Sequence, residues 1–242
     1  MDATSLVFKV YIILCVELTV LYGCAFFVIQ QCKNAFYANK TFLGIAFAEA
    51  VNQNRQTDIC IVQSKAATLF FFWLILFAII SMWTAAAFII FSSAFIQFIF
   101  MTLSAIGYGT LIGIIIMDMD ENDGMRGLKG ATLTTAAMFV LVSVSGINFA
   151  NPIFVSTIAF SILILIFWEF VALIRGISRV VAKIKAVAGI VIFSMSLLAS
   201  ISMVNVSSDQ GLNDWNTAID LAFNMYIDII NIIMSFLEGM GS

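Results

Sequence analysis

The sequence predicts an all-α integral membrane protein, a bundle of seven transmembrane helices forming one polytopic domain over residues 1–242. Composition is the first observation behind this. Of 242 residues 62% are hydrophobic and only 10% charged, where a soluble domain is nearer half apolar and a quarter charged. Patterning is the second. Residues 66–117 run for 52 positions without one charge, and further long apolar runs follow. The third is charge placement, since the basic residues gather in three of the six connections that seven spans would have.

Each span takes about 20 apolar residues. The first runs over about 6–29, with Lys9 near its start and Glu17 inside it. It is too long for a signal sequence and lacks a small-residue cleavage site, so it is expected to be retained. The polar segment 30–65 follows, in which Phe42, Ile45, Ala46 and Glu49 to Val51 suit a short interfacial helix. The charge-free stretch divides into spans at about 66–91 and 94–117, turning near Ser92-Ser93. An acidic loop from Asp118 to Lys129 leads to spans at about 131–150 and 153–174, joined at Asn151-Pro152. The basic segment 175–185 precedes a span at about 186–206, and a polar link leads to the last, about 217–237.

Seven spans put segments 30–65, 118–130 and 175–185 on one side. Those segments hold ten of the eleven basic residues, and only Lys9 falls opposite. The positive-inside bias then sets the N-terminus outside or in a lumen and the C-terminus in the cytoplasm. The sequons at Asn39 and Asn205 fall on opposite sides or at a membrane edge, and neither is expected to carry glycan.

Several functions are excluded by arithmetic. With no histidine there is no Ser-His-Asp triad, no histidine-ligated metal and no imidazole switch. Cys15, Cys24, Cys32 and Cys60 have no CxxC spacing, so neither a disulfide framework nor a zinc site is expected. No nucleotide loop, nucleophile elbow or cofactor motif is present, so no enzyme is expected. A net charge of −3 gives no footprint for nucleic acid. The segment beginning Asp118-Met-Asp120 imitates a calcium loop, but Asp123 stands where an EF-hand needs glycine and Lys129 where it needs glutamate. A solvated acidic turn is expected there. Gly107, Gly109 and Gly113 suggest close helix packing.

Ionisable groups at bilayer depth are candidates for function, since burying them is costly. They are Glu17, Glu169 and Asp228, with Asp220 nearer the rim. Glu169 is either reached by Arg175 or Lys185 snorkelling or sits at the cytoplasmic edge. Along the last span Thr217, Asp220, Asn224, Asp228, Asn231 and Ser235 recur at intervals of three and four, so they share one helical face. Such a stripe is expected to point away from lipid. It is either a polar path through the bundle or a hydrogen-bonded seam between helices.

The last span, from Phe223 through Tyr226, Asp228, Ile229, Ile230 and Asn231 to Gly239, resembles the closing signature of the Bax inhibitor-1 family, roughly LYLDIINLFLxLLRxLG. Lys9-Val-Tyr-Ile-Ile-Leu-Cys-Val-Glu17-Leu-Thr is similar to that family's opening segment, with Glu17 where glutamine is usual, and Leu133 to Phe139 resembles a middle span. The resemblance covers about 45 residues. It implies a seven-helix bundle with the last span at its centre and a pH-sensitive calcium leak gated by two aspartates. Asp228 matches the second, while Val204-Asn205 stands where the first would lie in a Tyr-Asp step. Tyr108-Gly109 replaces a glutamate seen in relatives, and segment 30–65 is longer than usual. The polar path so expected comprises Asp228, Asn205, Asn224, Asn231, Asp220 and Glu17, with Asn205 the cross-helix partner of Asp228. Expected partners are the lipid bilayer and either conducted calcium or, if the chain is a non-conducting assembly subunit, other membrane proteins.

Overall fold

The computed structural model describes residues 4–51, 57–61, 93–119, 121–175 and 178–241, with a few single positions between 79 and 90. The chain is helical with one small ribbon. In order come α1 (Leu6–Tyr37), β1 (Phe47–Val51), β2 (Thr57–Ile61), α2 (Ala94–Asp118), α3 (Glu121–Ser145), α4 (Pro152–Arg175), α5 (Arg179–Asp209) and α6 (Trp215–Gly241). Among the described residues five helices (α1, α2, α3, α5 and α6) are long and apolar enough to cross a membrane. The apolar stretch of α4, Pro152–Trp168, is shorter. Rows of large apolar side chains stay exposed on these helices, including Phe26 and Phe27 on α1 and Phe160, Leu163 and Phe167 on α4. The protein is therefore a multi-pass helical membrane protein. The expected span 66–91 lies largely outside the described residues.

Three expectations about the connections need correction. The polar segment 30–65 does not begin at residue 30, because α1 continues to Tyr37. No helix breaker occurs before Asn39, which takes a positive φ of 50° and lets Lys40 N–H and Asn39 N–H close on the carbonyls of Ala35 and Phe36. This is a Schellman cap, and it ends the helix. The interfacial helix expected over Phe42 to Val51 is absent, because Phe47–Val51 pairs antiparallel with Thr57–Ile61 in register Phe47 with Ile61. Extended pairing satisfies backbone groups that a single short helix leaves open at both ends. The acidic and basic loops are largely helix: α3 begins at Glu121, and α5 begins at Arg179, with Ser178 Oγ accepting from Val181 N–H. Polar residues extend these helices past the apolar core, since helix propensity continues where hydrophobicity stops.

The chain forms two compact units, residues 1–14 with 126–242, and residues 15–125. In the first, α5 and α6 pack antiparallel, joined by a turn that Gly211 closes with a φ of 79°. Asp214 starts α6 by accepting from Thr217 N–H at 2.8 Å and Thr217 Oγ at 2.7 Å. Those two donors, the backbone N–H first, hold the Asp214 carboxyl below the usual carboxylate range. Pro152 occupies the first position of α4 behind Asn151, whose Oδ1 accepts from Ile153 N–H at 2.9 Å. Lys9 is fully buried, with Nζ donating to the Asn213 carbonyl at 2.8 Å and standing 5.0 Å from the centre of the Trp215 ring.

In the second unit α1 and α2 approach closely at glycines. A methyl group added at Gly113 would sit 2.8 Å from the Ala25 carbonyl oxygen, and Gly109 lies as tightly against Leu21 and Cys24. The glycines let the two backbones meet where side chains would hold them apart.

Candidate functional site

Asp228 of α6 is the acidic group that polar residues of α5 meet. It is buried in the middle of the helix, and Ser200 Oγ donates to its Oδ2 at 2.8 Å. Ser196, one turn earlier on α5, also hydrogen-bonds the carboxyl. Serines at i and i+4 share a helical face, so two hydroxyls form a cradle for one acidic side chain. Below this level Gly189 admits Ser235, whose Oγ would lie 2.5 Å from an added methyl. At the far end buried Lys185 pairs with Glu238.

The expected partner of Asp228 is corrected by this register. Ser200 meets Asp228 and Lys185 meets Glu238, so the helices run past each other with a fixed offset. Five residues beyond Ser200, Asn205 is displaced about 7.5 Å along the axis and about 140° around it. It lines a separate cavity of about 190 Å³ with Val142, Ile147, Asn148, Ser202 and Asp209. Lys185 joins Glu238; the expected approach of Arg175 or Lys185 to Glu169 falls on a side chain outside the described residues.

The expected inward-facing stripe is divided. Asp228 and Ser235 are buried, Thr217 and Asn231 are half-buried, and Asp220 and Asn224 are exposed. The reason lies in the heptad geometry of α6. Column 221–228–235 is buried, whereas columns 217–224–231–238 and 220–227–234 each hold one exposed position and are otherwise half-buried, so the edge of the packed face runs beside 221–228–235. A stripe at intervals of three and four straddles that edge.

Glu17 belongs to the other unit. It lies on the buried row Val10, Leu14, Glu17, Leu21 of α1 and is fully buried. Thr102 Oγ1 donates to its Oε1 at 2.7 Å and also lies 3.0 Å from the Phe98 carbonyl. Its Oε2 has no hydrogen-bond partner. Sequence reasoning missed Ser196, Ser200 and Thr102, although a serine pair at i, i+4 was a visible signal.

No protein-family model, curated protein or solved structure matches the chain.

Proposed function

We propose that the protein is a seven-span membrane protein that leaks ions, in the manner implied by its resemblance to the Bax inhibitor-1 family, with Asp228 as the controlling group. The single observation that carries this is the buried Asp228 carboxyl, held by Ser196 and Ser200 at the middle of a helix buried along most of its length. An acidic group at bilayer depth is expensive to keep there and marks ion or proton pathways more often than packing. The charge-free stretch within residues 66–91 supports a further span, and α4 another. The distribution of Lys and Arg supports a cytoplasmic C-terminus and an N-terminus outside or in a lumen. Calcium is the proposed ion, on the resemblance alone.

A second reading has its own observation. Asp220 and Asn224 are exposed on a helix long enough to span. Polar side chains at that depth call for a covering surface, which favours a non-conducting subunit packed against other membrane proteins. Calcium efflux from proteoliposomes separates the two. Release faster than from protein-free liposomes is expected of a leak; identical traces would reject it and leave the assembly subunit.

A further inference from the structure

The cavity that holds Asn205 is formed where two helices end. Val142 lies in the last turn of α3, and Gly146, Ile147 and Asn148 follow directly. Ser202, Asn205, Val206 and Asp209 come from the last two turns of α5. Positions 202, 205 and 209 lie at intervals of three and four, so they present one polar face to the cavity.

The electrostatics of this arrangement have one sign. A helix C-terminus carries a partial negative charge, which a basic side chain in the last turn usually offsets. Neither α3 nor α5 has a basic residue in its last turn, and α5 places Asp209 there instead. Three backbone N–H groups following α3 go to side chains: Ile147 to Ser145 Oγ, Phe149 to Ser202 Oγ and Ala150 to Asn148 Oδ1. They therefore do not turn back to cap the carbonyls that α3 leaves open at its end.

We propose that this cavity, lined by Asp209, Asn205, Asn148 and Ser202 at the joint C-termini of α3 and α5, binds a small organic ammonium ion. The carboxylate of Asp209 and the oxygen of Asn205 receive the ammonium N–H groups. Val142, Ile147 and Val206 give the same cavity an aliphatic side, which suits an alkyl chain and disfavours a hydrated metal ion. A single carboxylate also falls short of the six to eight oxygens that calcium takes. The volume, about 190 Å³, holds about six waters and so admits an amine of a few carbons. Either a free amine or the ethanolamine headgroup of a phospholipid offers this chemistry. The site does not depend on whether the chain conducts ions.

The test is thermal melting of the full-length chain in detergent against n-propylammonium, with n-propanol, sodium chloride and calcium chloride at matched concentration as comparisons. A saturable rise in melting temperature with n-propylammonium alone is expected. Asp209→Asn should weaken that binding at least tenfold, and Asn205→Leu should weaken it several-fold while leaving the charge in place. Titration in nanodiscs of phosphatidylcholine, with and without phosphatidylethanolamine, distinguishes the sources. Competition by phosphatidylethanolamine assigns the site to the headgroup, and its absence assigns it to a free amine. No saturable rise in any medium, an equal response to sodium, or unchanged affinity in Asp209→Asn would overturn the proposal.

Discussion

At the scale of single residues the account rests on what a buried polar group needs. Ser200→Ala removes a donor from the Asp228 carboxyl without changing its burial. Leaving a buried acceptor short of one hydrogen bond costs about 1–3 kcal/mol, and more for a charged group. The Ser200→Ala protein is thus expected to melt below wild type, and Ser196→Ala with Ser200→Ala lower still. Equal melting temperatures for all three would remove the cradle from the argument. Asp228, Asn231 and Glu17 were legible in the sequence as polar positions in apolar runs, though Asp220 and Asn224, equally legible, are exposed. The partners of Asp228 and Glu17 were not legible. Ser196, Ser200 and Thr102 are small hydroxyl residues that occur throughout apolar helices, and only the packing register decides which of them meets a carboxyl. The pairing of Asn205 with Asp228 failed on that register.

At the scale of elements two contacts set the outcome. The α1–α2 approach depends on Gly109 and Gly113, whose added methyl groups would meet backbone oxygen and not a side chain able to move away. Gly113→Ala is expected to destabilise the protein by about 1–3 kcal/mol or prevent its folding. Gly23→Ala, with open space at that position, should be neutral or slightly stabilising. Comparable melting of the two variants would contradict the close approach. The start of α6 depends on Asp214, whose carboxyl is held below its ordinary range by the Thr217 donors. The sign follows from linkage: a depressed carboxyl stabilises the fold above the ordinary aspartate pKa of about 3.9, and the contribution fades as pH falls through the lower folded value. Asp214→Ala should therefore cost about 1 kcal/mol near neutrality. The difference from wild type should shrink below about pH 4, as followed by melting in detergent across a pH series. A pH-independent difference would show that the carboxylate is not the capping group. Helices α2 and α4 were legible almost to the residue, since charge, Ser93 and Asn151-Pro152 mark their ends. The ends of α1 and α5 and the start of α3 were not, because helix propensity carries each past the apolar run that a hydropathy reading detects. By contrast α3 stops at Ser145, short of the expected end at 150, just before Gly146 takes a positive φ of 62°. The β1–β2 ribbon was missed for a related reason: Phe47–Val51 reads equally well as helix or strand until its partner Thr57–Ile61 is known.

At the scale of the whole molecule the topology is the first thing to check. With the four native cysteines replaced, Asn122→Cys and Val180→Cys are expected to react with an impermeant maleimide from one side of the membrane and Asn148→Cys from the other. Labelling of positions 122 and 180 from opposite sides would break the seven-span arrangement. The multi-pass character was plain from composition, because a chain with only 25 charged residues in 242 has too little polar surface to fold in water. The proposed leak is a step further, and it turns on Asp228. The most direct measurement is calcium efflux from proteoliposomes containing equal amounts of wild type, Asp228→Asn and the Ser196→Ala, Ser200→Ala double variant, each first shown to be folded. The account predicts efflux well above protein-free liposomes for wild type, loss of at least tenfold in Asp228→Asn, and an intermediate rate in the double variant. Wild-type efflux at the protein-free level, or an Asp228→Asn trace that overlays the wild type, would contradict it.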